Sequence, residues 1–269
     1  MSRFTTLIPF DALRADMLVI DVSFDLADTT AGERAYAQGH LPGAHYLHLD
    51  RDLSGSKTGT NGRHPLPERS AFADRMRALG LSKQTQVVAY DGQGSMYAAR
   101  LWWMLRWIGH SAAAVLDGGK QGALSTDVPQ ATPGDFEIGQ ALTPMFDANM
   151  LLSHLGRVRL IDARAPERFR GDVEPLDKQA GHIPGAANRL FKNNLQDDGR
   201  FKNAEQLQAE FAPLLAPHGA AGTVHSCGSG VTACHNLLAM EHAGLSGSAL
   251  YPGSWSEWSS DPARPVAKG

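Results

Sequence analysis

The sequence predicts an α/β protein of two tandem domains, each a parallel sheet flanked by helices. Three observations point there. Short apolar runs ending in Asp or Cys alternate with stretches of helical period, as in a sheet covered on both faces. The same series of landmarks then occurs twice along the chain. Between the two series lies a segment punctuated by Pro and Gly, from Ser125 to Pro144, which reads as a linker.

In the first half, Met17-Leu18-Val19-Ile20 ends in Asp21 and reads as a buried strand. The phrase Gly39-His40-Leu41-Pro42-Gly43-Ala44 follows, and Asp50 to Pro67, rich in Gly, Ser, Thr and Pro, reads as loop. From Glu68 a helix turns Phe72, Met76 and Leu79 inward and stops at Gly80. Gln86 to Tyr90 is a second strand, ending at the turn Asp91-Gly92-Gln93-Gly94. A helix near Met96 to Ile108 carries Trp102, Trp103 and Trp107 at core spacing, and Ala113 to Leu116 is the next strand.

The second half repeats this order. Asp162 matches Asp21 at an offset of 141, and Gly181-His182-Ile183-Pro184-Gly185-Ala186 matches Gly39 to Ala44 at 142. A helix from Ala204 to Leu215, with Asn203 and Gln206 as a capping box, matches the one after Glu68. Cys227 falls on Asp91 at an offset of 136, and Gly253 on Gly118 at 135. Offsets this steady mark a duplication. The expected division is 1–124 for a domain without the cysteine, 125–146 for a linker, and 147–269 for the domain that carries it.

Composition excludes several classes. With a net charge of −3 and no long Lys/Arg run, the chain offers no nucleic-acid surface. The apolar stretch Ala98 to Leu116 is broken by Arg100, Arg106 and His110, so no membrane span is expected. Met1 to Pro9 lacks the apolar core of a secretory leader. Cys227 and Cys234 stand seven apart on one turn-plus-helix unit. Seven helical residues rise roughly 10 Å, beyond disulfide reach, and a reduced, cytoplasmic chain is expected.

The stretch Thr223 to Cys234 carries the chemistry. A strand, Thr223 to Ser226, ends at Cys227; the turn Gly228-Ser229-Gly230 follows, and then a helix that faces Cys234 inward. A ring of backbone N–H groups and a helix start favour an anion and so stabilise a thiolate, the reactive form of cysteine. The N–H groups of Gly228, Ser229, Gly230, Val231 and Thr232 are the expected cradle. A cysteine phosphatase would need an Arg six residues beyond its nucleophile, where this chain has Ala233. A papain-like protease needs a positioned His base, and nothing in the sequence marks His225 or His235 as one. Metal-ligand spacing is absent too, so neither metal nor cofactor is implied. The remaining chemistry is a thiolate that accepts a group, as in sulfur transfer through a persulfide. The two Gly-His-Ile/Leu-Pro-Gly-Ala phrases occur with and without the cysteine, so His40 and His182 read as structural.

Cys227-Gly228-Ser229-Gly230-Val231-Thr232, with Tyr251-Pro252-Gly253-Ser254-Trp255-Ser256-Glu257-Trp258 downstream, resembles the two-domain rhodanese family, in its 3-mercaptopyruvate sulfurtransferase branch. The resemblance implies tandem rhodanese-like domains and a sulfur donor that is a small molecule, with a thiol or cyanide as acceptor, a thioredoxin-like thiol among the candidates. It names Ser229, His64 of Gly62-Arg63-His64-Pro65 and Asp50 as companions of Cys227, although His64 alone would be a solvated loop histidine. It places a donor-binding arginine at Arg168 and a second one beyond Glu174-Pro175, where this chain has none and Lys178 is the substitute at hand. Two neighbouring readings stay open: thiosulfate:cyanide sulfurtransfer, for which relatives carry basic residues directly after the cysteine, and a persulfide carrier that delivers sulfur to a protein.

Overall fold

The computed structural model describes residues 3–269 and divides into two compact units. The first comprises residues up to Gly55, Pro67–Leu142 and Asp197–Phe201; the second comprises Ser56–Leu66, Thr143–Gln196 and Lys202–Gly269. Each half of the sequence thus gives one short segment to the other half's unit.

In the first unit the elements run β1 (Leu7–Ile8), β2 (Leu18–Asp21), α1 (Ala31–Gln38), β3 (His45–Tyr46), α2 (Leu49–Asp52), α3 (Arg69–Ala78), β4 (Val87–Tyr90), α4 (Met96–Trp107) and β5 (Ala113–Leu116). The sheet is wholly parallel in the order β1-β5-β4-β2-β3. Strands β2, β4 and β5 are buried on both faces, which is why they read as unbroken apolar runs. Trp102, Trp103 and Trp107 are core, at 8% exposure or less. Helix α3 buries Phe72, Ala73 and Met76, but Leu79 is its C-cap and stays half-buried. Helix α2 overlaps the start of the stretch expected as loop, Asp50 to Pro67: His48 caps it through its ring, with Asp50 N–H donating to Nδ1 at 3.1 Å.

The expected linker is largely strapped to this unit. Gly134 N–H donates to Arg77 O, Phe136 N–H to Leu81 O and Gly139 N–H to Ile108 O, while Phe136 is buried. Arg77 Nη1 returns a bond to Phe136 O at 2.8 Å. Glycine is required at 134, where a Cβ would stand 2.2 Å from Leu81 O.

The second unit holds α5 (Ala148–Ser153), β6 (Arg159–Asp162), α6 (Pro166–Arg170), β7 (Ala187–Asn188), α7 (Ala204–Leu215), β8 (Thr223–Ser226), α8 (Thr232–His242), β9 (Ala249–Leu250) and α9 (Ser254–Trp258). Its parallel sheet runs β7-β6-β8-β9, the order of β3-β2-β4-β5. Even the edge strand β1 has a remnant, a single parallel bridge from Met145 to Leu250. Helix α7 starts with the expected capping box between Asn203 and Gln206.

The repeated His phrase is structural in both units. His40 Nδ1 lies 2.8 Å from Tyr36 O and its ring stacks on Tyr36 at 3.9 Å. His182 Nδ1 lies 2.8 Å from Phe169 O and stacks on Phe169 at 3.8 Å. Each also bridges by its backbone to a late segment of its unit, Ser125 or Ala267. No helix among the described residues is long and apolar enough to cross a membrane.

Candidate active site

Strand β8 delivers Cys227 to the carboxyl edge of the second sheet, and the turn that follows starts α8. The cysteine is 2% exposed and free. Gly230 N–H donates to its Sγ at 3.2 Å. The turn needs glycine at 230, where φ is +75° and a Cβ would stand 2.2 Å from Pro252 O. Val231 is the N-cap of α8 and Thr232 its first residue.

The Tyr251–Trp258 motif holds this turn from behind. Ser254 Oγ accepts from Cys227 N–H at 3.1 Å and donates to Tyr251 O at 2.9 Å. Trp255 N–H and Ser256 N–H donate to Cys227 O and Gly228 O at 3.0 and 2.9 Å. Two loop carbonyls are thus tied back to the start of α9. Trp255 and Trp258 themselves are buried and bond to the carbonyls of Gln179 and Pro265.

His64 is not a solvated loop residue. It is 3% exposed, and its Nδ1 lies 2.8 Å from Ser229 Oγ. Its segment, Ser56–Leu66, belongs to the second unit although it comes from the first half of the chain. Arg63 N–H donates to Ser256 Oγ at 3.0 Å and Ser260 Oγ to Thr60 O at 3.2 Å, so the segment lies along α9. Asp50 belongs to the first unit, half-buried in α2.

Arg168, on α6, reaches the loop: a Cβ on Gly228 would stand 3.4 Å from its Nη1. Lys178 is exposed. The cation that does stand over Gly228 is Arg63, whose Nη2 would lie 2.8 Å from that Cβ. The motif Gly62-Arg63-His64 contained this residue, but nothing local distinguishes it from a surface arginine. The absence of an Arg beyond Glu174 was the available signal.

Behind the two guanidiniums runs a chain of alternating charge. Asp177 pairs with Arg63 and, at 3.1 Å, with Arg168; Arg168 pairs with Glu174 at 2.6 Å. Glu174 meets Arg164 at 3.4 Å, and Arg164 meets Asp162 at 2.7 Å. Arg164 also lies over the Trp255 ring at 4.9 Å. Single removals from such a buried series leave an unpaired charge, which costs about 3–5 kcal/mol.

In the first unit the equivalent turn is filled by the chain itself. Asp91 is 3% exposed, and its Oδ1 accepts from Gln93 and Ser95 N–H while its Oδ2 accepts from Tyr97 and Ala98 N–H, all at 2.8–2.9 Å. Burial raises its pKa, and these four N–H groups work against that rise. The position equivalent to Arg168, at the offset of 141, is Ala27. Asp91→Cys, made together with Cys227→Ser, is therefore expected to show no transfer, because a sulfur there has a cradle but no donor anchor. Restored turnover would contradict this.

His225, on β8, is fully buried with its Nε2 3.1 Å from Met240 Sδ. Burial, aided by the Arg189 charge, pushes it down to about 3 from an ordinary 6.5. It is neutral and structural, not a base for Cys227. The unfolded chain takes up a proton here below pH 6.5 and the folded chain does not, so the stability it contributes is full above that pH. It is lost as pH falls toward 3, at up to about 1.4 kcal/mol per pH unit. His225→Leu should flatten this part of an unfolding free-energy profile against pH, and an unchanged slope would refute the assignment.

Comparison with known proteins agrees with this geometry. The family description "Rhodanese-like domain" matches residues 11–125 and 147–261. A Pseudomonas aeruginosa protein named "Probable 3-mercaptopyruvate sulfurtransferase" is 46% identical over 264 residues, covering 94% of this chain and 93% of its own. The thiosulfate sulfurtransferase of Cricetulus griseus is 35% identical over 92% of this chain and 86% of its own. Among solved structures, the 3-mercaptopyruvate sulfurtransferase SseA of Escherichia coli matches with a TM-score of 0.78 at 29% identity, over 94% of this chain and all of that one.

Proposed function

Because the chain belongs to the rhodanese family, with the domain present twice, we propose that it is a sulfurtransferase that takes sulfur from 3-mercaptopyruvate on Cys227 and hands it to a thiol or to cyanide. The observation that carries the choice of donor is the buried pair of His64 and Ser229, 2.8 Å apart, with Ser229 two residues after the nucleophile.

Removing sulfur from 3-mercaptopyruvate leaves electrons on carbon. The Cys227 thiolate attacks the donor sulfur, the C–S bond breaks, and its electron pair goes to C3 as the enolate of pyruvate. The donor's thiol proton must end on that carbon, giving pyruvate and the Cys227 persulfide anion with no change in total charge. Ser229 and His64 are placed to relay this proton. Thiosulfate needs no such relay, since sulfite leaves as an anion. The family resemblance assigns Asp50 a supporting role in this scheme. Arg168 holds the donor carboxylate.

The outer sulfur then needs N–H donors. Transferring the Asp91 contacts by the offset of 136 assigns the N–H groups of Ser229, Val231 and Ala233 to it, while the Cys234 N–H is already given to Val231 O at 3.0 Å. An acceptor thiolate attacks the outer sulfur, takes it as its own persulfide and releases the Cys227 thiolate. A free thiol nucleophile and a thiol acceptor suit a reducing, cytoplasmic setting. A side-by-side assay decides the donor: kcat/KM should be higher with 3-mercaptopyruvate than with thiosulfate. The reverse order would replace this reading by thiosulfate sulfurtransfer.

A further inference from the structure

We propose that Arg63 is the second donor-binding cation of this site, paired with Arg168 across Gly228 and held in place by Asp177. The proposal rests on the reading of the donor as a thiol-bearing 2-oxo acid and adds the residue that selects its carboxylate.

Three observations carry it. First, both guanidiniums converge on the residue next to the nucleophile: a Cβ at position 228 would stand 2.8 Å from Arg63 Nη2 and 3.4 Å from Arg168 Nη1. Second, their direction is fixed. Asp177, with its side chain 4% exposed, accepts from Arg63 through one oxygen and from Arg168 through the other. The Arg63 backbone is fixed as well, by its N–H bond to Ser256 Oγ and by Gly62, whose φ of +88° and contact with Gly253 O favour glycine. Third, each fork is only partly used. The Nε atoms of Arg63 and Arg168 are buried with no hydrogen-bond partner among the described residues, which is costly unless something else offsets it.

Two forks side by side match a carboxylate with an adjacent keto oxygen, where a single ammonium would supply only a point charge. Arg63 reaches the place that a side chain at position 228 would otherwise fill. Gly228 and Arg63 are therefore coupled: any larger residue at 228 must push the Arg63 fork aside.

The test compares wild type, Arg63→Gln, Arg63→Lys and Gly228→Ala with 3-mercaptopyruvate and thiosulfate as donors. It also measures pyruvate, a 2-oxo acid without the thiol, as a competitor. Thermal midpoints exclude variants that fail to fold. Arg63→Gln should raise the KM for 3-mercaptopyruvate and the inhibition constant of pyruvate together, by roughly tenfold to a hundredfold, with a smaller change in kcat. Arg63→Lys should recover thiosulfate use more than 3-mercaptopyruvate use, since the charge returns without the fork. Gly228→Ala should weaken pyruvate in the same direction with Arg63 still present. If wild type binds pyruvate and Arg63→Gln binds it equally well, Arg63 is not the anchor, while the donor reading survives. If wild type neither binds pyruvate nor uses 3-mercaptopyruvate, the donor reading and this inference fall together.

Discussion

Cys227→Ser is expected to reduce transfer from either donor to background, while Cys234→Ser keeps most of the activity. Both cysteines are buried, so exposure does not separate them. Position does. Cys227 Sγ receives the Gly230 N–H at the turn, whereas Cys234 lies within α8 and spends its thiol on Gly230 O at 3.3 Å. A serine hydroxyl at 227 cannot become an anion at neutral pH and cannot form a persulfide. Replacing the Cys234 thiol puts a hydroxyl of similar size where the thiol meets Gly230 O. Equal loss in the two variants would mean that the turn does not single out the nucleophile.

The next largest effect is expected to depend on the donor. His64→Ala and Ser229→Ala should each lower kcat with 3-mercaptopyruvate by about 10²- to 10⁴-fold, the usual worth of a positioned proton donor. With thiosulfate the same variants should lose far less, because sulfite departs without a proton. The two substitutions should also be non-additive, since the side chains act through one hydrogen bond of 2.8 Å. Equal losses with both donors would reduce the pair to a structural contact. Asp50→Asn, measured in the same way, tests whether Asp50 takes part in the reaction.

Much of this was legible in the sequence because it is local. The run Thr223–Ser226, the glycine turn and the helix after it are set by neighbours in sequence, and the strand's bounds match those expected. The capping box of α7 is likewise a four-residue pattern. The duplication exposed the fold twice over and explained why Asp91 occupies the same kind of turn as Cys227. The parts that escaped are those decided by long-range packing. His64 reads as a loop histidine until the segment Ser56–Leu66 is seen in the second unit, 165 residues from its partner Ser229. Arg63 lies in that same segment, and Lys178 stands out in the sequence through its place after Glu174-Pro175. The segment after Ser125 has linker composition, yet backbone bonds from Gly134, Phe136, Gly139 and Leu142 and a buried Phe136 fasten it to the first unit. Two-residue strands such as β3, β7 and β9 are too short to carry a period, and only their ladders define them.

The central claim is that sulfur rests on Cys227 between donor and acceptor. The most direct measurement is the intact mass of the protein after one equivalent of 3-mercaptopyruvate with no acceptor present, followed by peptide mapping. The expected result is a gain of one sulfur atom on the peptide that holds Cys227, one pyruvate released per chain, no gain in Cys227→Ser, and loss of the added sulfur when a thiol is supplied. Pyruvate release without added sulfur, or sulfur found on Cys234 instead, would contradict it.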